Sequence, residues 1–429
     1  PAAGKMLGHL HDLKDQLAFT GIVTKWNGRA TSVEEIPGLV AHAFEEMTTG
    51  RARPTHVEVP LDVLAAEGTY IPVSRPASAR PAPNPRLIMQ AAAMIASAER
   101  IVIWCGGGAV SSEATEAIGD LARRLGAPVI TSVMGKGAIA EDHPWAIGNR
   151  WEPGNAVDQA VASADLALVF GSKLGPMETD NCRMRLPDRI VRVDIDETEI
   201  QRNYQPTLAI VADARLTALA LLEEMARHSI AKQSWTAEAV RRINEATLAA
   251  SWGNEQAPYL AALRAVIPRD GILVNDMTMM GYLACRRYPV YQPRTFLFPQ
   301  GFGTLGFTLP AAIGAKIARP DAVVVPIIGD GGFQFTMQEL ASAIQFRLGL
   351  PIVIFNDATY TAVKMEQAQR YDRRYIAVDL VNPDYVQLAA AYGISAVRAT
   401  SPEQLAEEIT LAARRDLPTI IDTPIQFTY

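Results

Sequence analysis

Two aspartates, each following an apolar run, are the residues of this sequence whose types and spacing could do chemistry. Asp330 follows the run 322–328 and is flanked by glycines at 329, 331 and 332. Asp357 comes shortly after a second apolar run, 351–355. Carboxylates are hard oxygen ligands of the kind that Mg²⁺ prefers, and glycines let backbone N–H groups approach a phosphate. The spacing therefore indicates a divalent cation bound together with a diphosphate.

The two apolar runs and the segment between them are typical of a strand–helix–strand unit. Thr336 and Glu339 have the spacing of a capping box, which predicts a helix over residues 336–348. In a parallel unit the carboxyl ends of both strands lie at one edge of the sheet, where ligands of α/β folds bind. For the Gly-Asp-Gly turn alone, a solvated loop is the competing interpretation. The second acidic strand end, at Asp357, argues for the site instead.

Composition limits the possible classes of protein. The chain has 429 residues, of which 49% are hydrophobic, so two or three domains with large cores are expected. A net charge of −6 and the lack of a long basic run argue against a nucleic-acid partner. Three widely spaced cysteines fit a reducing cytoplasm and offer no zinc site. The sequence shows no apolar stretch of about 18 residues and no signal peptide, so we expect no membrane span and a cytoplasmic location.

The chain alternates strand and helix patterns along most of its length. Near its start, residues 33–47 read as an amphipathic helix with Ser32 as N-cap, and residues 54–60 as a strand. Five prolines make 71–86 an expected linker. The remainder divides into an open, mostly parallel α/β domain, a polar helical connection and a second α/β domain, at 87–228, 229–255 and 256–429.

Strands and helices are predicted within both α/β domains. In the first domain strands are expected at 101–104, 128–131, 166–170 and 190–195. In the second, helices are expected at 383–392 and 402–414, and a late strand at 418–422.

Two features of the first α/β domain could belong to a nucleotide site. Gly106, Gly107 and Gly108 follow a predicted strand, but Ser111 stands where a full dinucleotide motif has its last glycine. We therefore favour a tight strand-to-helix turn. Asp194 and Asp196 could bind a ribose or end a strand, and we favour the strand end.

Residues 329–360 and 301–314 together resemble the cofactor motifs of thiamin diphosphate-dependent enzymes, particularly acetolactate synthases and benzoylformate decarboxylases. The resemblance extends over the whole chain. It implies successive three-layer α/β domains with mostly parallel sheets: a central Rossmann-like domain at 87–228 and a diphosphate-binding domain at 256–429. Residues 1–70 resemble the end of a pyrimidine-binding domain, most of which we expect to lie upstream of Pro1.

The resemblance also implies roles for individual residues. The cation would be bound by Asp330, Asp357 and the carbonyl of Thr359, although the family usually has asparagine at position 357. Asn356 would be structural. The remaining residues of the implied cofactor site are Gly331, Gly332, Thr278 and Met279 at the diphosphate, Gly303 at the aminopyrimidine, Leu305 as a wedge between the two rings, and Thr304 and Tyr360.

The implied activity is thiamin diphosphate- and Mg²⁺-dependent decarboxylation of a 2-oxo acid, followed by carboligation or aldehyde release. Val363 stands where some decarboxylases have glutamate, which weakens a likeness to pyruvate decarboxylases. The family's catalytic glutamate would lie upstream of Pro1, so no catalytic residue is named. A homodimer or homotetramer is expected. FAD is not favoured, because residues 171–176 lack the arginine-containing stretch of flavin-binding synthases. A non-catalytic scaffold and a flavin- or nucleotide-binding protein are the alternatives.

Overall fold

The computed structural model describes residue 10, residues 13–73 and residues 79–427. The chain forms two compact units. The first comprises Pro1–Ala82 with two short segments, Ile195–Thr198 and Val211–Asp213. The second comprises the remaining residues, and both six-stranded sheets of the protein lie essentially within it.

The described residues of the first unit form a two-stranded parallel sheet and three helices. In chain order they are α1 (Gln16–Gly21), β1 (Trp26–Arg29), α2 (Ile36–Thr48), β2 (Thr55–Glu58) and α3 (Leu61–Ala65). The prediction of Ser32 as N-cap was wrong, because α2 begins at Ile36. Pro37 is tolerated in the first turn of a helix but would break the interior of a helix that began at residue 33.

The second unit begins with a six-stranded sheet in the order β5-β4-β3-β6-β7-β8. Strand β3 pairs in parallel with β4 and β6, and all three are buried on both faces, as their apolar runs indicate. The elements are α4 (Pro85–Ser97), β3 (Ile101–Cys105), α5 (Gly107–Ser111), α6 (Thr115–Leu125), β4 (Val129–Thr131), β5 (Ala146–Gly148), α7 (Ala156–Ala162), β6 (Leu166–Phe170), β7 (Arg189–Asp194), β8 (Leu208–Val211), α8 (Ala214–Arg227) and α9 (Ala237–Ala250).

A second six-stranded sheet follows, in the order β10-β9-β11-β12-β14-β13, and its strands are paired in parallel. The elements are α10 (Ala257–Val266), β9 (Ile272–Asn275), α11 (Met279–Arg287), β10 (Phe296–Leu297), α12 (Thr308–Ala318), β11 (Val324–Gly329), α13 (Asp330–Thr336), α14 (Leu340–Gln345), β12 (Pro351–Asn356), α15 (Thr361–Arg370), α16 (Tyr385–Ala391), β13 (Ser395–Arg398), α17 (Pro402–Ala412) and β14 (Thr419–Pro424).

Alternate residues of this second sheet enter different cores. Val325 and Ile327 of β11 pack with α10, α11 and α17, whereas Val324 and Ile328 pack into the opposite core with α12 and α14. Successive side chains of a strand point to opposite faces, so a strand covered on both sides needs an unbroken apolar run. The paired strands confirm the predicted α/β class with mostly parallel sheets, while the predicted domain boundaries stay predictions.

The helix expected at 336–348 begins earlier and is interrupted. Helix α13 starts at Asp330, directly after the strand, and a 3₁₀ turn at Met337–Glu339 separates it from α14. Thr336 directly precedes this 3₁₀ turn, but its side chain makes no capping hydrogen bond, and its hydroxyl donates instead to the carbonyl of Gly306 at 3.0 Å. The capping-box prediction was therefore wrong. In the part of the chain that the structure describes, no helix is long and apolar enough to cross a bilayer.

Candidate functional site

Asp330 lies at the carboxyl end of β11 and is almost completely buried, with 2% of its surface exposed. Its carboxylate accepts a hydrogen bond from Asn382 Nδ2 at 2.6 Å. The backbone N–H groups of Gly331 and Ala358 also donate to it. Burial raises the pKa of Asp330 in spite of these donors. The carboxylate is thus held in a fixed orientation at the edge of the sheet.

Asp357 follows the next strand, β12, and lies close enough to Asp330 for the two carboxylates to repel each other. Burial, together with the charge of Asp330, raises the pKa of Asp357 to about 6. Its carboxylate accepts hydrogen bonds from the hydroxyl of Thr361 and the backbone N–H of Thr359. The buried carboxylate of Asp330 and the half-buried carboxylate of Asp357 carry charge that a divalent cation would neutralise.

The glycines beside Asp330 are required by close packing. A Cβ atom added to Gly331 would lie 2.4 Å from Cε1 of Tyr360, and one added to Gly332 would lie 2.2 Å from Oδ2 of Asp276. Neither position can therefore hold another residue without movement of its neighbours. The turn is therefore packed between the residues that follow β9 and β12.

The end of β9 supplies the next predicted residues. Thr278 is the N-cap residue of α11, and its hydroxyl oxygen is 3.0 Å from the position that a Cβ of Gly329 would occupy. Met279 begins α11 and lines a pocket of about 350 Å³ whose walls include Met365 of α15 and Trp252. The structure therefore brings Thr278 to the same strand-end turn as Asp330.

The loop before α12 carries three further predicted residues. Gly303 adopts a left-handed backbone conformation, with φ at +67°, and a Cβ there would lie 2.9 Å from Cε of Met277. Thr304 is exposed and Leu305 is half-buried in the same loop. The backbone N–H of Gly306 lies near enough to the carboxylate of Asp276 to lower its pKa. The loop therefore lies beside the end of β9, and β9, β11 and β12 are neighbours in the sheet.

Sequence reasoning missed two polar residues of this region. Asp276 is fully buried beneath Gly332, one of its carboxylate oxygens has no hydrogen-bond partner, and burial raises its pKa to about 6. Asn382 bonds Asp330 from 52 positions further along the chain. Asp276 lies only two positions before Thr278, and this closeness in sequence was a usable signal. Asn382 precedes Pro383 in a loop, and no spacing rule connects it with Asp330.

The described residues fit a magnesium diphosphate better than a metal held by protein side chains alone. Within the described ranges no group of three or more His, Cys, Asp and Glu side chains could hold a metal ion. Mg²⁺, however, is usually bound through one or two carboxylates, with phosphate oxygens and waters completing its coordination. Asp330 and Asp357 would supply that number of carboxylates, and the backbone of the glycine turn beside them would be the part that meets the phosphates.

The glycines of the first six-stranded sheet are explained by the protein's own packing. A Cβ at Gly106 would lie 2.3 Å from the carbonyl oxygen of Gly171, and one at Gly108 would lie 2.6 Å from Cα of Gly171. The turn after β3 therefore packs directly against the turn after β6. Strand β7 ends at Asp194, which agrees with the interpretation of this residue as the end of a strand.

Comparison with known proteins gives matches over most of the chain. Residues 276–423 match the model of the C-terminal TPP binding domain of thiamine pyrophosphate enzymes, and residues 88–222 match the model of their central domain. A probable 2-ketoarginine decarboxylase of Pseudomonas aeruginosa is 34% identical, over 98% of this chain and 75% of its own length. A probable acetolactate synthase large subunit of Methanocaldococcus jannaschii is 33% identical, over 96% of this chain and 73% of its own length. An acetolactate synthase of Mycobacterium leprae is 31% identical, over 95% of this chain and 68% of its own length.

Proposed function

Because this chain belongs to the thiamine pyrophosphate (thiamin diphosphate) enzymes, in the acetolactate synthase-like family, we propose that it decarboxylates a 2-oxo acid with thiamin diphosphate and Mg²⁺ bound at the edge of its second six-stranded sheet. The observation that carries this proposal is the pair of mutually repelling carboxylates, the buried Asp330 and the half-buried Asp357, beside the packed glycine turn. A cation bound to both would relieve their repulsion and attract the diphosphate.

The chain's own residues would bind and orient the cofactor. Asp330, Asp357 and the carbonyl of Thr359 would hold Mg²⁺. The other residues proposed to contact the cofactor are Gly331, Gly332, Thr278 and Met279 at the diphosphate, and Gly303, Thr304, Leu305 and Tyr360 around the rings. At the left-handed turn of Gly303, the side chain of Met277 already fills the space that a Cβ atom would need.

When bound, the cofactor supplies a carbon nucleophile and accepts the electrons released with CO₂. The protein's contribution is to fix the cofactor and limit the access of water. Asp330 is suited to this task because the amide of Asn382 already orients its carboxylate before any cation binds. A ligand that is oriented in advance costs little reorganisation when the cation arrives.

The names of the relatives suggest two outcomes after a common first step. A decarboxylase would release an aldehyde, whereas an acetolactate synthase would join the two-carbon unit to a second 2-oxo acid. We propose the common step, loss of CO₂ from a 2-oxo acid, for this protein. Product analysis then distinguishes the two outcomes.

The test is CO₂ release by the purified full-length protein over a panel of 2-oxo acids that includes pyruvate and 2-ketoarginine. Assays with thiamin diphosphate and Mg²⁺ are compared with assays that lack the cofactor or contain EDTA. We expect CO₂ from at least one substrate only when both are present. If the protein binds thiamin diphosphate but releases CO₂ from no substrate, it is a non-catalytic member of the family and the proposed activity is wrong.

We also propose that the protein is a homodimer or homotetramer located in the cytoplasm. Phe302 and Val381 are each 98% exposed, and Phe335 and Val363 are more than half exposed, all on segments that carry or adjoin the proposed site residues. Large apolar side chains exposed together favour a protein partner. All three cysteines are free thiols, which supports a reducing compartment.

A further inference from the structure

One loop connects the two predicted metal-binding segments. This loop, residues 376–382, is called the strap below. The backbone N–H of Tyr360 donates to the carbonyl of Val378 at 2.8 Å, and that of Leu380 donates to the carbonyl of Ala358 at 2.8 Å. The hydroxyl of Thr359 also donates to the Val378 carbonyl, at 2.8 Å. The strap therefore fixes the backbone that follows Asp357.

The last residue of the strap, Asn382, contacts the other predicted ligand. Its Nδ2 donates to Oδ2 of Asp330 at 2.6 Å and to Oδ1 of Asn356 at 3.0 Å. Its Oδ1 accepts a hydrogen bond from Nε2 of Gln334 at 2.8 Å. Because Gln334 donates to the amide oxygen, the amide cannot flip without losing this bond. The N–H₂ group is thereby kept facing Asp330.

The contacts of Asn382 continue across the sheet. Asn356, at the end of β12, donates from Nδ2 to Oδ1 of Asp422 at 3.1 Å. Asp422, in β14, is 1% exposed, and its other carboxylate oxygen accepts from Nε of Arg398 at 3.0 Å. This arrangement orients Asn356 as firmly as Gln334 orients Asn382. Asn382 thus connects Asp330, which follows β11, with Asn356 at the end of the neighbouring strand β12.

We propose that Asn382 is a positioning residue that sets the orientation of the Asp330 carboxylate and its spacing from Asp357, and so sets the affinity for the divalent cation. The inference rests on the proposed function, since it takes Asp330 and Asp357 as the ligands. The strap holds the backbone after Asp357 while its Asn382 side chain holds Asp330. Loss of the amide would leave Asp330 free to rotate and would remove one donor that stabilises its charged form.

The test is a calorimetric titration, in which Mg²⁺ is added to the purified full-length protein at saturating thiamin diphosphate. Asn382→Ala is expected to raise the half-saturating Mg²⁺ concentration about 10- to 100-fold, the usual effect of removing a group that orients a metal ligand. Gln334→Ala frees the amide without touching Asp330 and is expected to give a smaller increase. Unchanged Mg²⁺ affinity in a folded Asn382→Ala variant overturns the proposal.

Asn244→Ala is the matched control. Asn244 is also half-buried, donates to the carbonyl of Ala146 at 2.9 Å and accepts from Nη1 of Arg150 at 2.8 Å, but it lies on α9. A general loss of structure would lower the melting temperature of both asparagine variants without a selective change in Mg²⁺ affinity. If Asn382→Ala does not fold, Gln334→Ala decides the question, and unchanged affinity in that variant overturns the proposal.

Asp330→Ala, measured in the same titration, separates this inference from the function on which it rests. If Asp330→Ala keeps Mg²⁺-dependent binding of thiamin diphosphate, the proposed site itself is wrong. If Asp330→Ala abolishes binding while Asn382→Ala and Gln334→Ala leave it unchanged, only the role of Asn382 is wrong. Weakened Mg²⁺ affinity in both Asn382→Ala and Gln334→Ala, with Asn244→Ala unaffected, supports the proposal.

Discussion

The two six-stranded sheets each have a glycine turn at the carboxyl end of an inner strand, but the turns have different surroundings. After β3, Gly106 and Gly108 lie against the backbone of Gly171. A Cβ atom added to Gly106 would lie 2.3 Å from the carbonyl oxygen of Gly171, and one added to Gly108 would lie 2.6 Å from its Cα. The space in front of that turn is therefore filled by the chain itself. After β11, Gly331 and Gly332 are approached by the side chains of Tyr360 and Asp276 instead.

The second difference is charge. The turn after β11 contains Asp330 and faces Asp357, and the pKa values of both carboxylates are raised. Glycine at a strand end shows only that something comes close to the backbone. Buried acids with shifted pKa values point to a functional site, because burying charge is costly unless a ligand or partner compensates it. The comparison thus supports a packing role for the turn after β3 and the proposed binding role for the turn after β11.

The largest expected effect is that of Asp330→Ala. Without this carboxylate the cation loses a ligand and the diphosphate loses its counter-charge, so we expect thiamin diphosphate binding to fall by at least about 100-fold. Glu178→Ala is the matched change near the other sheet. Burial raises the pKa of Glu178 too, and its carboxylate accepts from the backbone N–H of Gly175 at 3.3 Å. Calorimetry should show unchanged cofactor affinity in Glu178→Ala, and an equal loss in both variants would break the comparison.

A pair of glycine variants separates packing from binding. The new Cβ in Gly106→Ala would meet a backbone carbonyl, and that in Gly332→Ala would meet the Asp276 side chain. Overpacking of this kind typically costs about 1–3 kcal/mol, so denaturant unfolding should show both variants destabilised. Thiamin diphosphate affinity should fall in Gly332→Ala alone. Reduced affinity in Gly106→Ala would indicate that the first sheet also contributes to the cofactor site.

Acid pH should stabilise the protein when cofactor and cation are absent. The folded pKa of Asp357, about 6, is above its ordinary value of 3.8, so the folded state binds more protons than the unfolded state between these values. Stability therefore falls as the pH rises through this window, by about 1–2 kcal/mol once solvent screening is allowed for. The measurement is the free energy of unfolding in EDTA, compared between pH 5 and pH 7.

Asp357→Asn serves as the reference for that pH effect. The variant should show a smaller fall in stability between pH 5 and pH 7 than the parent protein, because its amide does not titrate. Asp276, whose pKa is also about 6, keeps its own contribution in both proteins. An identical fall in the parent and the variant would show that Asp357 is not the group responsible.

The smallest effect is expected for cofactor binding by the same Asp357→Asn variant. The amide keeps an oxygen where the cation is expected, and it also removes the repulsion from Asp330. Affinity for thiamin diphosphate with Mg²⁺ should change only a few-fold, in contrast to the loss in Asp330→Ala. Complete loss of metal-dependent binding would mean that Asp357 has a role other than that of a ligand.

The strands of both sheets could be predicted because their apolar runs are long and unambiguous. Residues 166–170 form a strand as predicted, and Asp330 and Asp357 follow neighbouring parallel strands. The helix starts were less predictable. Ser32 and Thr336 have side chains that could cap a helix, but other interactions determine where the helices begin. Pro37 moves the start of α2 to Ile36, and the hydroxyl of Thr336 is used by Gly306.

The site could be predicted only where its residues lie in one local motif. Asp330, Gly331 and Gly332 are adjacent in sequence, and Thr359 and Tyr360 follow Asp357 closely. Asn382 reaches Asp330 through the fold of the strap, a contact that no local pattern records. An isolated antiparallel bridge between Thr359 and Asp379 belongs to the same strap and was equally invisible in the sequence.

The central claim is that the turn after β11, and not the turn after β3, binds the cofactor with its cation. The most direct measurement is a crystal structure of the protein with thiamin diphosphate and Mn²⁺, in which anomalous scattering locates the metal. We predict one peak in contact with the carboxylates of Asp330 and Asp357 and the carbonyl of Thr359, with the diphosphate against Gly331 and Gly332. A metal peak away from both aspartates, or a diphosphate at Gly106–Gly108, would contradict the account.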